Sequence, residues 1–477
     1  MISTPRLLAA AALLLVLPTS QPLASAGAAE AGARQEPEPG AAGIGDPYFP
    51  LDGNGGIDVQ RYRIHDAYRF GDGHLRGETR IRLRATQDLS SFNLDFLLPV
   101  NRVTVDGRPA VYDQATQRHE LVVTPKTSLK AGETVHVVVA YAGRPARYGY
   151  RGESNWLANE HEVVTMNQPH MAPWWFPSND HPLDKALVDI TITVPRGKQV
   201  VANGRLVSRD LRPRDRVAYR WVADEPMAPY LAFFAAGRFE ISRGTQDGLP
   251  WLVAVSQRLA PSVRRDRMEL MERTPDIVSW LETRLGDYPF GQTGGLTTSL
   301  QPGFALENQT RPTYSANTGL STVVHELAHQ WFGDSVAVHG WRDIWLNEGF
   351  ASFMEAAYAE AHAGRDAQKW LEQTWEAFPQ EDPFWMLPIG DPGPKNIFAW
   401  PVYTRGSMTL QALRHRVGES AFWTILRTWV ADREGGNGTT EEFQALAEQV
   451  SGEDLDGFFT AWLVTGERPA HTAENGF

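Results

Sequence analysis

Residues 325–329 read His-Glu-Leu-Ala-His, and residues 347–351 read Asn-Glu-Gly-Phe-Ala. His325 and His329 are four residues apart within a helical pattern, so their imidazoles project from one face of a helix, about 6 Å apart. One tetrahedral zinc ion accepts two imidazoles at that separation. The pattern therefore predicts a metal-binding helix with His325 and His329 as ligands.

The spacing also indicates a third ligand and a base. A catalytic zinc ion needs a third protein ligand and one open coordination position. Glu348 lies 19 residues beyond His329 and begins a second helical pattern, and a helix–turn–helix hairpin of this length can return its carboxylate to the metal. Glu326 is rotated by about 100° from His325 around the helix. We therefore predict Glu348 as the third ligand of one zinc ion per chain, and Glu326 as a general base that does not bind the metal.

Composition excludes several other classes of protein. The chain has 477 residues, of which 42% are hydrophobic, so two or three domains are expected. A net charge of −12 argues against nucleic-acid binding and against anionic membrane surfaces. The absence of cysteine excludes disulfides, thiolate ligands and cysteine nucleophiles. Residues 52–56 (Asp-Gly-Asn-Gly-Gly) lack the acidic series of a calcium loop and are interpreted as a turn before the first strand.

The N-terminus is typical of an exported protein. Residues 1–26 contain Arg6, an apolar run from Leu7 to Leu17 and a small-residue cleavage site at 24–26, which together predict a secretory signal. The run is too short to span a bilayer, which takes about 20 residues; an uncleaved interfacial anchor is the alternative. Residues 27–45, rich in Ala, Gly, Glu and Pro, are predicted to be a disordered leader. We expect a secreted, extracellular protein without a stable membrane anchor.

Hydrophobic periodicity divides the rest of the chain into two parts. Alternating apolar and polar residues over 188–194, and similar patterns over 79–83 and 135–141, predict strands. Helical spacing predominates after Gly248, with helices predicted over 262–284 (with a break at Pro275), 405–417, 419–433 and 440–450. The predicted fold class is α+β and multidomain, with an antiparallel β-sandwich or saddle domain over 46–245 and a mainly helical domain over 246–477.

With these motifs, the sequence resembles the zinc aminopeptidases of the aminopeptidase N and leukotriene hydrolase family, which are gluzincin metallopeptidases. That family combines H-E-x-x-H, 18 intervening residues and N-E-G-F-A, and the flanking residues 331–334 and 343–346 fit the same pattern. The resemblance implies a thermolysin-like catalytic domain over 246–477. Larger members continue into a helical C-terminal domain; we expect a short form without it and a comparatively open active site.

The family's G-x-M-E-N motif is matched by residues 304–308, Phe-Ala-Leu-Glu-Asn. The resemblance implies that Glu307 binds the free α-amine of a substrate and that Ala305, Leu306 and Asn308 contribute to substrate binding. A desolvated ammonium needs a carboxylate partner. Because Phe304 and Leu306 replace Gly and Met, the first side-chain pocket is expected to differ from that of the family.

Two further segments resemble the family. Residues 165–186 match T-Q-x-E-…-W-F-P-…-D-x-P-x-x-K-A, which implies that Gln168 faces the substrate amine with an uncharged amide. Residues 403–406, Tyr-Thr-Arg-Gly, match Y-x-K-G, which implies that the Tyr403 phenol donates to the developing oxyanion.

The resulting hypothesis is a secreted, monomeric zinc aminopeptidase that acts on peptides with a free N-terminus. A zinc endopeptidase or a non-peptide hydrolase on the same scaffold is an alternative. A catalytically silent peptide-binding protein of the same family is another.

Overall fold

The computed structural model describes residues 36–477, so the predicted signal at residues 1–26 lies outside the described residues. Glu38–Pro39 forms a short strand that pairs in parallel with Leu89–Asp95, and the Gly40 amide donates to the Ser91 carbonyl at 2.8 Å. The prediction of a disordered leader is therefore wrong for residues 38–40. Backbone hydrogen bonds order this segment. They could not be predicted from its composition, which is rich in Gly and Pro.

From residue 36 onward, the N-terminal part of the chain contains three β-sheets. The largest has eight strands, in the order Arg205–Arg212, Arg216–Val222, Leu187–Pro195, Ile57–Arg69, His74–Ala85, Thr134–Gly143, Val100–Val105 and Arg108–Pro109. The second contains Glu38–Pro39, Leu89–Asp95, Glu120–Thr124 and Val111–Ala115. The third contains Trp156–Ala158, Val163–Thr165, Phe234–Gly237 and Gln199–Ala202.

Alternation of apolar and polar residues predicts which side chains of the eight-stranded sheet are buried. Val188, Ile190, Ile192 and Val194 are all buried, as their alternation predicts. Neighbouring strands in this sheet run antiparallel, except that Leu187–Pro195 lies parallel to Ile57–Arg69. The predicted turn over residues 52–56 does precede the first long strand, Ile57–Arg69.

A smaller sheet begins the C-terminal part. It contains Phe239–Gln246, Leu249–Ser256, Thr293–Thr297 and Thr313–Tyr314. Its first strand starts seven residues before the predicted domain boundary at 246, because the hairpin around Gly248 joins two strands of one sheet. A two-stranded ribbon pairs Ala337–Val338 with Asn437–Gly438.

Ten α-helices lie within the described residues. They are α1 (Pro261–Met271), α2 (Thr274–Leu285), α3 (Leu320–Ala328), α4 (Trp345–Ala363), α5 (Ala367–Ala377), α6 (Pro383–Met386), α7 (Trp400–Val417), α8 (Glu419–Asp432), α9 (Thr440–Ser451) and α10 (Asp456–Phe459). Pro275 occupies the first turn of α2, where a missing amide is tolerated, so the break falls just before it. None of these helices is long and apolar enough to cross a membrane.

Lys185 joins the β-rich part to the helical part. Its ammonium donates to the carbonyls of Asp334, Ser335 and Gly436 at 2.8–3.1 Å. Burial lowers the pKa of Lys185 to about 7. These bonds fix Lys185, two residues before the strand Leu187–Pro195, against the loop that follows α3 and against Gly436.

Helices α4 and α7 cross in direct backbone contact. A Cβ at Gly406 would lie 2.7 Å from the Gly349 Cα, and a Cβ at Gly349 would lie 2.9 Å from the Gly406 Cα. Real Cβ atoms do not approach this closely, so only glycine fits at either position. Glu348 precedes one of these glycines and Tyr403 lies one turn before the other, so the crossing sets their relative position.

We predict that Gly406→Ala forces α4 and α7 apart. Overpacking of this kind lowers the free energy of unfolding by about 1–3 kcal/mol, which chemical denaturation would measure. Turnover should fall as well, because Tyr403 moves with α7. Gly457→Ala on α10 is the matched control: its Cβ would meet no atom within 4 Å, and an effect as large as that of Gly406→Ala would contradict the account.

Candidate metal centre and active site

Three side-chain atoms converge between α3 and α4. His325 Nε2 and His329 Nε2 are 3.0 Å apart, and each lies 3.3 Å from Glu348 Oε2. All three residues are buried. Two ring nitrogens and a carboxylate oxygen this close together can bind one cation that lies between them. Two imidazoles and one carboxylate are a known set of ligands for catalytic zinc. The structure thus brings His325, His329 and Glu348 together as predicted, and these residues fit zinc.

The outer nitrogen of each imidazole is already bonded. His325 Nδ1 lies 2.8 Å from Glu355 Oε1, and His329 Nδ1 donates to the Phe332 carbonyl at 2.9 Å. Such outer partners fix the tautomer and direct Nε2 toward the metal. Glu355 in turn accepts a hydrogen bond from Ser321.

Glu326 lies beside the predicted metal ligands and does not belong to the group His325, His329 and Glu348. It is 5% exposed, and it forms a group with Glu307 and His329 whose donor atoms lie within 4.8 Å of one another. Burial raises the pKa of Glu326 to about 8. A divalent cation on the neighbouring ligands would favour its ionised form, as a general base requires.

Tyr403 packs against the first metal ligand. Its ring stacks on the His325 ring with centroids 6.0 Å apart and planes inclined at 25°. Burial, aided by the carboxylates of Glu348, Glu307 and Glu326, raises the pKa of Tyr403 well above its ordinary value. The phenol therefore keeps its proton and can donate a hydrogen bond.

Glu307 closes one end of the site. Its Oε1 accepts hydrogen bonds from Gln168 Nε2 at 2.8 Å and from the Tyr230 hydroxyl at 3.2 Å. Glu307 is 2% exposed, and burial raises its pKa. Its backbone carbonyl accepts from Gln330 Nε2 at 3.0 Å, so the residue after His329 holds the Glu307 loop.

These groups line one cavity of about 590 Å³. Of the predicted site residues, Gln168, Ala305, Leu306, Glu307, His325, Glu326, His329, Glu348 and Tyr403 all line it. Asn308 does not line it: its amide donates to the Leu231 carbonyl at 3.3 Å. The expectation that Asn308 contacts substrate is therefore corrected. The Asn308 side chain points away from the cavity, because the preceding residue, Glu307, points into it.

Two known protein-family domains match the sequence. The Peptidase M1 N-terminal domain matches residues 60–231, and the Peptidase family M1 domain matches residues 291–462. The chain belongs to the peptidase M1 family. The second match contains all three predicted metal ligands, and the first contains Gln168.

Individual M1 proteins resemble the chain over most of its length. Aminopeptidase N of Streptomyces lividans is 27% identical over 61% of this chain and 36% of its own. Leucyl aminopeptidase of Saccharolobus solfataricus is 23% identical over 86% of this chain and 53% of its own. The chain thus spans about half, or less, of these two relatives.

Among solved structures, the chain resembles an M1 zinc metallopeptidase from Deinococcus radiodurans. One structure of a variant bound to a Tyr-Ser-Ala substrate has a TM-score of 0.80 and 28% identity, over 90% of this chain and 100% of that one. A second structure of the metallopeptidase has a TM-score of 0.79 and 27% identity. Other structures of a two-domain M1 zinc metallopeptidase variant hold L-arginine or L-tryptophan.

Sequence reasoning missed several residues of this M1 site. Glu355 lies seven residues after Glu348 on α4, two turns along the same face, and that spacing could have revealed it. Gln330 directly follows His329 but has no motif role of its own. Tyr230 carries no local signal, because only the fold brings it to Glu307 from 77 residues away.

We predict that Glu355→Ala weakens zinc binding. Loss of an outer partner of a metal-binding histidine lowers metal affinity by about 10–100-fold, because the His325 ring is no longer held in the binding tautomer. Titration against a chelator of known affinity would measure this. Glu372→Ala, an exposed acid on α5, is the control; equal affinities in both variants would show that Glu355 does not orient His325.

Proposed function

We propose that the chain is an exported zinc aminopeptidase that removes single residues from the N-termini of peptides. One observation carries the proposal: the donor atoms of Glu307, Glu326 and His329 lie within 4.8 Å of one another. An ammonium bound at Glu307 therefore sits close to the candidate base and to a metal ligand. Only the first peptide bond of a substrate can reach both.

The residues around Glu307 support the binding of a substrate's free α-amine. Glu307 offers a buried carboxylate, and the Gln168 amide beside it can offer its oxygen. A charged carboxylate in a desolvated pocket favours a cation over a neutral acetylated nitrogen. The buried Tyr230 hydroxyl donates to Glu307 Oε1 at 3.2 Å, which supports Glu307 as the end of the substrate site.

Each residue around the proposed metal has a separate role in the reaction. Zinc held by His325, His329 and Glu348 would supply Lewis acidity, which polarises the scissile carbonyl and makes water easier to deprotonate. Glu326 takes the proton of the attacking water and returns it to the leaving amine. The Tyr403 hydroxyl donates to the oxygen on which negative charge develops.

The outer end of the cavity supports binding of an extended peptide. Phe304, Phe398 and Trp400 line it and are 38–57% exposed. Exposed aromatic side chains offer apolar contact without demanding one substrate sequence. The similar Deinococcus radiodurans enzyme has been captured with the tripeptide Tyr-Ser-Ala, a substrate of the kind proposed here.

Export is the part of the proposal supported by residues 1–26 alone. Mass spectrometry of the protein recovered from the medium should give an N-terminus near Gly27, directly after the small-residue site. An intact N-terminus on protein that stays with the cells would contradict export. The monomeric state stays a prediction, which light scattering would check.

We predict that Glu326→Gln keeps zinc but loses turnover. The amide cannot accept the proton of the attacking water, whereas the three ligands are unchanged; general base catalysis contributes about 10²–10⁴-fold. His325→Ala should instead lose the metal. Zinc content and hydrolysis of amino-acid amides are measured on both variants. Full activity in Glu326→Gln would remove its assigned role.

We predict that Glu307→Gln lowers kcat/KM for substrates with a free α-amine. Loss of one hydrogen bond to a charged group costs about 1.5–3 kcal/mol, so kcat/KM should fall by about 10–100-fold while zinc content is retained. Glu372→Gln on α5 is the control. If Glu307→Gln left kcat/KM unchanged, Glu307 would not bind the substrate amine.

A further inference from the structure

A second group of potential metal ligands lies in the β-rich part, away from the active site. The donor atoms of Asp95, His119 and Glu120 lie within 4.8 Å of one another, and each residue is no more than 1% exposed. Asp95 and Glu120 are direct partners across two antiparallel strands, Leu89–Asp95 and Glu120–Thr124, so their side chains share one face of the sheet. His119 has a left-handed φ of 50° immediately before the second strand.

Each carboxylate in this group has one oxygen that accepts hydrogen bonds. Asp95 Oδ2 accepts from the Asp180 amide at 2.6 Å and from Asn54 Nδ2 at 3.0 Å, and Glu120 Oε2 accepts from Asn93 Nδ2 at 3.0 Å. Asp95 Oδ1 is buried and lies in ion-pair contact with His119 Nδ1 at 3.1 Å, whereas Glu120 Oε1 is buried and has no hydrogen-bond partner within residues 36–477. Buried polar atoms are almost always satisfied, so the unpartnered Glu120 Oε1 indicates a ligand.

The His119 ring stands between two carboxylates. Its Nδ1 lies 3.1 Å from Asp95 Oδ1, and its Nε2 lies 3.4 Å from Asp52 Oδ1. Among the described residues, neither ring nitrogen is aligned for a hydrogen bond. The Asp52 carboxylate beside Nε2 resembles Glu355 beside His325 Nδ1, and the Nδ1 of His119, in ion-pair contact with Asp95 Oδ1, corresponds to the nitrogen that such an outer partner directs toward a metal.

We propose that Asp95 Oδ1, His119 Nδ1 and Glu120 Oε1 bind a second divalent transition-metal ion, with Asp52 as the outer partner of His119. One imidazole and two carboxylates suit first-row divalent ions such as zinc. A divalent cation would replace the charged His119 ring as the positive partner of the buried carboxylates.

The site has a structural consequence for the active centre. Asp52 Oδ2 lies 2.6 Å from His170 Nε2, and His170 Nδ1 lies 3.2 Å from Glu153. His170 is two residues beyond Gln168, so an ion at His119 would steady the segment that carries Gln168 through Asp52. The proposal concerns metal binding alone and does not depend on the aminopeptidase proposal.

Zinc stoichiometry tests the proposal on the full-length protein. The variant His325→Ala/His329→Ala lacks both histidines of the active centre, so any tightly held zinc reports on the second site. After equilibration with zinc and removal of the excess, we expect two zinc ions per chain in the wild type and one in this variant. Zinc should also raise the thermal unfolding midpoint of the variant. A variant that holds no zinc and whose midpoint zinc does not move would overturn the proposal.

A third substitution locates the ion. Adding Glu120→Gln to the double variant should remove the remaining zinc, since the amide replaces a ligand oxygen with little change in shape. Adding Asp454→Asn instead should leave one zinc ion; Asp454 is exposed and belongs to a separate acidic group with Glu448 and Asp456. If the ion persisted with Glu120→Gln, or left with Asp454→Asn, the assigned ligands would be wrong. If Glu120→Gln does not fold, the double variant alone decides.

Discussion

The structure depends on the convergence of three buried donor atoms, His325 Nε2, His329 Nε2 and Glu348 Oε2, on one point. Such polar atoms are costly in a protein interior unless a cation binds them. The packing of α3 on α4 brings the three atoms together. The glycine contact between α4 and α7 then sets Tyr403 beside them. The same packing that builds the core therefore builds the metal centre.

The charge of the cavity explains its proposed selectivity. Glu307, Glu326 and Glu348 all face one cavity, and carboxylates this close repel one another in a medium of low dielectric constant. Zinc would offset the charge near Glu348, and the ammonium of a substrate would offset the charge at Glu307. The proposed preference for a free N-terminus rests on the electrostatics of the site as well as on its shape. An acetylated peptide would leave Glu307 buried without a cation.

The sequence predicted the parts of the site that lie within one helical period. His325, His329 and Glu326 follow from spacing alone, and Glu348 follows from a hairpin of the right length. Gln168, Glu307 and Tyr403 came from resemblance to a family, because tertiary packing brings them together from three distant segments. Tyr230 and the backbone pairing of residues 38–40 were missed. No local pattern encodes a contact that depends on the register of distant segments.

The central claim is that a buried carboxylate beside the metal limits attack to the first peptide bond. The most direct measurement follows one unstructured peptide by mass spectrometry, with its N-terminus free in one sample and acetylated in the other. The account predicts stepwise loss of single residues from the free peptide and an intact acetylated peptide. Internal fragments, or equal cleavage of both peptides, would contradict it.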